Sequence, residues 1–339
     1  MNFNDLKDNV FIYNEDCLHS AHRFADESID LGVFDPPFGI HESTFGKHYK
    51  RNSKHVLHGY CEAPQDYGQW TLAWMREAVR VLKPNGSMYV FSGHSNLRHV
   101  LNAADGLGLV ERNHIIWKYN FGVFTRNKYV TSHYHILYYT KPKAKPTFNT
   151  YCRFGSQDIA QDGGKKLYDD LEDVFTINRE YASGKTKNQN KLPTEIIDKL
   201  LLYSSNPGDT ICDFFMGNFT TAYSALSLGR KVCGYEKNST AYEYHIPIIT
   251  RIDFGYQLAQ LPIVVNAVPI NARKPITIED IDNICIEYAQ MKANKWAVKD
   301  IYGSLQMKYG RGRFSIKNIL DKYLPSKGVH HELQTSNLP

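Results

Sequence analysis

An α/β fold, doubly wound around a mostly parallel sheet, is predicted by three features of this sequence. Short apolar strands alternate with amphipathic helices between Val10 and Phe91, and the alternation returns between Pro193 and Tyr235. In both stretches, strands run directly into an acidic residue. Strands joined through helices at this spacing imply a largely parallel sheet covered on both faces.

The first strands are Val10 to Tyr13 and Asp30 to Phe34. The second ends at Asp35-Pro36-Pro37-Phe38, where two prolines remove two backbone donors and fix two φ angles, leaving a rigid arc that cannot join a ladder. Trp70 to Leu82 has helical spacing (Leu72, Met75, Val79, Leu82) before a stop at Lys83-Pro84-Asn85-Gly86, and Met88 to Phe91 is again a strand. Leu109 to Tyr119 and His133 to Thr140, rich in aromatic and β-branched residues, read as a strand pair near one edge. Residues 142–190 show little periodicity and read as an irregular insertion, the type of segment that carries specificity.

Pro193 to Tyr203 is an amphipathic helix (Ile196, Ile197, Leu200, Leu201), followed by a turn at Asn206-Pro207-Gly208-Asp209 and a strand at Thr210 to Asp213. The segment DFFMGNFTT (213–221), a helix through Leu228, a Gly229 stop and the strand Lys231 to Tyr235, ending at Glu236, complete a second strand-helix-strand unit. The sheet domain thus spans 1–260, a linker 261–275, and a small helical domain 276–330. In the last, Thr277-Ile278-Glu279-Asp280 resembles a capping box ahead of Ile281, Ile284 and Tyr288. A helix from Trp296 carries Val298, Ile301 and Leu305, and a basic glycine turn leads to a third helix from Ser315 with Ile316, Ile319 and Tyr323. Such a trio resembles a helix-turn-helix DNA reader, with Arg311, Arg313 and Lys317 as contacts; a packing or dimerisation module is the alternative.

Composition narrows the class. The N-terminus, MNFNDLKDNV, is polar and acidic where a signal peptide is cationic and then apolar, and the longest uncharged run, Phe254 to Ala272, is interrupted by Gln, Asn and Pro. A cytoplasmic protein outside the membrane is expected. Six scattered cysteines without a Cys-x-x-Cys pair argue against zinc ribbons and disulfide frameworks, and no metal site is expected, although His41, His48, His55 and His58 lie close together. A net charge of +5 is compatible with a polyanionic partner.

The chemistry concentrates at two strand ends, where open α/β sheets bind ligands. After Asp213 a glycine-containing loop opens a helix, with Glu236 at the spacing from which an acidic residue reaches ribose hydroxyls; the loop lacks G-x-G-x-x-G, which disfavours a dinucleotide. At the other end, Asp35, Pro36, Pro37 and Phe38 offer a carboxylate, a fixed carbonyl and an aromatic face. These fit one flat substrate carrying an exocyclic amino group: Asp35 and the Pro36 carbonyl accept its two N–H protons while Phe38 stacks on the ring. An aryl amine is a weak nucleophile, and two acceptors that draw its nitrogen toward tetrahedral geometry help it attack.

These residues together resemble the amino-methyltransferases of DNA. Asp-Pro-Pro-Phe matches that family's catalytic signature, DFFMGNFTT resembles its S-adenosylmethionine loop, and Asn14-Glu15-Asp16-Cys17 is similar to its adenine-contacting segment. Arg80-Val81-Leu82-Lys83-Pro84-Asn85-Gly86-Ser87 and Gly229-Arg230-Lys231-Val232-Cys233-Gly234-Tyr235-Glu236 extend the likeness to roughly residues 10–250, in an order resembling the β group. The resemblance implies a Rossmann-like methyltransferase fold with an inserted target-recognition region, and S-adenosylmethionine as cofactor. It implies that Asp35, Pro36, Pro37 and Phe38 hold a flipped base, that Asp16 and Cys17 meet the cofactor's adenine and Glu236 its ribose. It also assigns Asp213, Phe215, Gly217, Asn218, Thr220 and Thr221, with Lys191 and Pro193, to the rest of the cofactor. Asp at the first catalytic position favours adenine N6 over cytosine N4 in double-stranded DNA, and base flipping is implied.

Two departures stand out. Phe214 and Phe219 occupy positions where the family has proline and a second glycine, and Asn190-Lys191-Leu192-Pro193 displaces a lysine by one. A DNA-binding regulator that has lost catalysis is therefore a rival reading. The basic loop 41–60, with Lys47, Lys50, Arg51 and Lys54, is expected to contact DNA. A homodimer and a cognate restriction endonuclease are the further candidate partners.

Overall fold

The computed structural model describes residues 8–38, 63–120, 122, 124, 126–155, 158–180, 191–261, 276–309, 311 and 313–324. The basic loop 41–60, with Lys47, Lys50, Arg51 and Lys54, and the linker past Leu261 lie outside them. The chain divides into two compact units, one of Met1–Cys152 with Tyr168–Pro262, the other of Arg153–Leu167 with Ile263–Pro339.

The first unit is built on an eight-stranded sheet. In chain order its strands are β1 (Val10–Tyr13), β2 (Ile29–Phe34), β3 (Leu82–Ser92), β4 (Val110–Lys118), β5 (His133–Thr140), β6 (Val174–Thr176), β7 (Thr210–Asp213) and β8 (Lys231–Tyr235). They lie in the order β1-β8-β7-β2-β3-β5-β4-β6. Every pairing is parallel except those of β5, which runs antiparallel to both β3 and β4. The central strands are buried on both faces and read as apolar runs, as a sheet covered on both sides requires.

Helices α1 (Cys17–Ser20), α2 (Tyr67–Val81) and α3 (Leu97–Gly106) precede β4, and α4 (Lys166–Leu171) lies between β5 and β6. Helices α5 (Thr194–Ser204), α6 (Thr220–Ser227) and α7 (Ser239–Ile249) belong to the second strand-helix-strand region. Two apolar clusters result. One joins Leu31, Val33, Phe91, Ile136 and Ile211 to α5 and α6; the other joins Phe34, Met88, Val90 and Leu137 to α2 and α3. Alternate residues of β5 therefore serve opposite faces, and a one-residue slip would exchange them.

Three expectations need correction. The Lys83–Gly86 stop lies within β3: between the pairs Ile29↔Leu82 and Leu31↔Ser87, β2 advances two residues and β3 five, so the turn residues form a bulge. The insertion 142–190 is not wholly irregular, since it supplies α4 and β6, and β6 joins the sheet beside β4. The helix expected from Trp70 begins at Tyr67, where the Asp66 carboxylate accepts from the Gln69 amide.

The other unit contains α8 (Ile278–Ala293), α9 (Val298–Tyr309) and α10 (Arg313–Tyr323) around its own core of Ile281, Ile284, Ile301, Leu305, Ile316 and Leu320. Thr277 caps α8 by accepting from the Asp280 amide at 3.0 Å. The second and third helices begin at Val298 and Arg313, against the expected Trp296 and Ser315. No helix among the described residues is long and apolar enough to cross a membrane.

Candidate active site

The parallel order β1-β8-β7-β2 puts the carboxyl ends of four strands side by side. Each carries an acid: Asp16 after β1, Glu236 after β8, Asp213 at the end of β7 and Asp35 after β2. The sheet thus gathers residues from both ends of the sequence into one row, where a parallel α/β sheet leaves its crevice.

Asp35 is half-buried, and Pro36 is buried. Withdrawal from water first, and the neighbouring Asp213 second, push the Asp35 carboxyl up to about 8. The arc after it is held in place: the Phe38 carbonyl accepts from Asn96 Nδ2 at 2.7 Å. A Cβ at Gly93 would come 3.2 Å from the Phe38 ring, so glycine lets the ring sit close to the end of β3. Tyr134, the second residue of the reversed strand β5, lies with its ring centroid 5.1 Å from that of Phe38.

The Asp213 loop is built on three backbone devices. Asp213 accepts from the Phe215 amide at 2.8 Å, and Glu236 accepts from the amides of Gly217 and Asn238, each at 2.6 Å. Gly217 has φ +50°, which turns its N–H toward Glu236, and Gly234 has φ +150° beside the Asp213 carbonyl. Burial raises Asp213 to about 7 against the help of Phe215 and Thr221, with Glu236 adding to the rise; Glu236 is also raised by burial.

Phe219, in the position of the expected glycine, adopts the left-handed conformation itself at φ +58°, as the residue before α6. Its ring is fully buried and stacks on His245 at 4.9 Å. The strain costs about 1–2 kcal/mol, and burying a phenylalanine ring returns roughly 1.5–3 kcal/mol, so burial offsets the left-handed conformation. Phe214 fills the core against Phe34 and Tyr235.

The other predicted cofactor residues divide. Asp16 accepts from the Leu18 amide at 2.9 Å and pairs with Lys237 at 3.0 Å; burial pulls its carboxyl up, but these two partners outweigh it and leave it below the usual range. The Cys17 thiol is buried in the core and pushed up to about 12 by that burial, so it stays protonated. Phe215 is half-buried against Trp70 and Trp74, Asn218 is half-buried, and Thr220 and Thr221 are buried. The Thr220 hydroxyl has no hydrogen-bond partner among the described residues. Lys191 pairs with Glu180 at 2.7 Å, and Pro193 precedes the first turn of α5. In the helical unit Arg313 and Lys317 are exposed, whereas Arg311 is buried.

Residues outside the predicted motifs surround Phe38: Gly93, Asn96 and Tyr134 meet it, and Arg179 meets Tyr134. The only signal for the first two was a polar turn, Gly93-His94-Ser95-Asn96, directly after a predicted strand. A separate open cleft of about 590 Å³, between α1 and α2, contains none of the four acids.

The donor set fits a cation. Three carboxylates, Asp35, Asp213 and Glu236, are each held above their ordinary range in the free protein, so a ligand bearing positive charge would favour their ionised forms. S-adenosylmethionine carries a sulfonium and an ammonium group. Its binding at about pH 7.5 is therefore expected to release protons, because groups titrating near 7 and 8 are part-protonated there and a cation lowers both. Calorimetry in buffers of different ionisation heat measures this directly; proton uptake would contradict the charge assignment.

Comparison with known proteins follows the same lines. A family model described as DNA methylase matches residues 29–247. The type II methyltransferase M.BamHI of Bacillus amyloliquefaciens is 30% identical over 245 residues, which are 66% of this chain and 54% of that protein. The chain thus spans about half the length of that relative. The DNA adenine methyltransferase YhdJ of Escherichia coli (strain K12) is 28% identical over 293 residues, 80% of this chain and 92% of that one. Among solved structures, PvuII DNA methyltransferase (cytosine-N4-specific) has a TM-score of 0.53 at 16% identity, covering 76% of this chain and 92% of that one, a likeness of fold.

Proposed function

The chain belongs to the N6/N4 DNA methylase family, and on that premise we propose that it methylates N6 of an adenine flipped out of double-stranded DNA. The observation that carries the proposal is the Asp35–Phe38 arc, fixed by Asn96 and set in one row with Asp213, Glu236 and Asp16. S-adenosylmethionine is the methyl donor of the family, and when bound it supplies a methyl group made electrophilic by its sulfonium.

The protein's own groups do the rest. In the proposed complex Asp35, as carboxylate, and the Pro36 carbonyl accept the two N–H bonds of the exocyclic amine, which localises its lone pair. Phe38 stacks on the base. One N–H proton must leave as the N–C bond forms, and the Asp35 carboxylate, one of the two acceptors of those N–H bonds, is placed to receive it. Glu236 keeps acceptor capacity for ribose hydroxyls, since each of its oxygens takes a single backbone amide. Thr220 offers a buried hydroxyl, and the path of Gly217 and Phe219 keeps the loop open to the methionine end.

Adenine is favoured over cytosine by the aspartate at the first position of the arc and by the likeness to YhdJ, itself named an adenine methyltransferase. The helical unit is part of the proposal as a second DNA contact, through Arg313 and Lys317 on the exposed face of α10. A cognate restriction endonuclease is in keeping with the type II designation of M.BamHI. Purified protein incubated with labelled S-adenosylmethionine and unmethylated duplex DNA is expected to place label in N6-methyladenine after digestion and chromatography. Label in N4-methylcytosine would move the assignment to cytosine, and cofactor binding without transfer would favour the regulator reading.

A further inference from the structure

Arg179 lies in the segment between β6 and α5 and belongs to none of the motifs that mark the site. Its guanidinium carbon sits 4.2 Å from the Tyr119 ring centroid and 5.1 Å from that of Tyr134, and its Nη2 donates to the Tyr134 hydroxyl at 2.8 Å. Tyr134 is the ring that faces Phe38. We infer that Arg179 is a positioning residue for the target base: by lying across Tyr119 and Tyr134 it fixes the Tyr134 ring against Phe38, the proposed stacking face of the arc, before substrate arrives. The inference rests on the methyl-transfer reading above.

Tyr134 needs such a tether. It is half-buried, and its neighbours Phe38, Trp117 and Tyr119 meet it as tilted rings at 5.1–5.5 Å, contacts that define a plane loosely. A hydrogen bond to its hydroxyl sets the ring's far end, and a planar cation over its face sets the tilt. Lysine could supply the charge but not the flat face and the directed N–H together.

The alternative role, anchoring the 177–180 segment to the sheet, is already filled by other groups. Upstream, Trp117 Nε1 donates to the Ile177 carbonyl at 2.8 Å and the Ile177 amide donates to Lys118 at 3.2 Å. Downstream, the Glu180 carboxylate accepts from the Thr194 amide and from Lys191, both at 2.7 Å. The backbone of Arg179 is thus pinned from both sides without its side chain, which meets the two tyrosines. This is how a preorganised wall is built, with the supporting group itself held rigid.

The test uses the full chain with the substitutions Arg179→Ala, Arg179→Lys, Tyr134→Phe and the double Arg179→Ala/Tyr134→Phe. Steady-state transfer to unmethylated duplex DNA and calorimetric affinity for S-adenosylmethionine are measured on each. Arg179→Ala is expected to lower kcat about a hundredfold, the cost of a misplaced reacting group, with cofactor affinity within about threefold of wild type. Arg179→Lys is expected to restore little of it, and the double variant to be no worse than Arg179→Ala, because both changes break one arrangement. Should Arg179→Ala fail to fold, the lysine variant carries the same test. Unchanged kcat in Arg179→Ala, full rescue by lysine, or strictly additive losses would overturn the inference while leaving methyl transfer intact. A wild-type protein that binds the cofactor but methylates no DNA would instead overturn the reading on which it rests, and the inference with it.

Discussion

Asp35→Ala is expected to lower methyl transfer about a thousandfold or more, with S-adenosylmethionine and DNA affinities near those of the unaltered protein. The asymmetry follows from position. In the proposed complex Asp35 supplies the carboxylate that meets the amine, whereas the neighbouring acids Asp213 and Glu236 are engaged by the backbone amides of Phe215, Gly217 and Asn238. In the proposed mechanism, removing Asp35 deletes an acceptor and a proton destination together, at a side chain that is half-buried rather than part of the apolar core. Asp35→Asn separates the two roles. Its amide oxygen still accepts one bond, but its amide nitrogen cannot take a proton, so near-complete loss there would assign the larger share to proton transfer. Methylation of duplex DNA, isothermal titration of cofactor and a DNA-binding assay give the three readouts, and parallel loss of all three would mark Asp35 as structural.

Gly234→Ala is expected to destabilise the protein by about 3–5 kcal/mol and abolish cofactor binding. A Cβ at Gly234 would lie 1.8 Å from the Asp213 carbonyl oxygen and 2.7 Å from its carbonyl carbon, both backbone atoms in the paired strand. Neither can retreat without parting β7 from β8 beneath two of the four acids. Gly208→Ala is the control for torsion alone: Gly208 has φ +89° with nothing within 4 Å, so its substitution is expected to cost only about 1–2 kcal/mol. Urea midpoints for the two variants would separate collision from backbone strain, and equal midpoints would refute the steric account.

Much of this was legible in the sequence where chemistry is contiguous. Asp35 with its prolines, the Asp213 loop and Glu236 each announce themselves within a few residues, and strands β1, β2, β5, β7 and β8 fall where apolar runs meet turns or acids. What escaped is non-local or locally contradictory. Asn96 reaches Phe38 across 58 positions and Arg179 reaches Tyr134 across 45, distances that only strand order brings together. Helix α7 contains Pro247, which reads as a breaker, and β6 is three residues long, too short to show a period without β4 beside it. Lys83–Gly86 has turn chemistry without ending the segment, because a bulge uses the same residues inside a strand. At Phe219 the sequence shows a residue where the family has glycine, but not that its ring is buried while its backbone takes the left-handed turn.

The reversal of β5 bears on how such a chain tolerates change over generations. Because β5 runs against β3 and β4, residues 119–132 leave and re-enter the sheet at the end where Tyr134 stands. Insertions there extend a loop at the working rim, at about 0.6 kcal/mol for each doubling of its length, and leave every rung of the ladder in place. A single-residue deletion inside β5 does the opposite: on one side of the deletion, residues of the face that holds Ile136 and Tyr138 trade places with those of the face that holds Leu137 and Tyr139. Inherited variation in this hairpin is thereby channelled into length at the tip, while phase along the strand stays frozen.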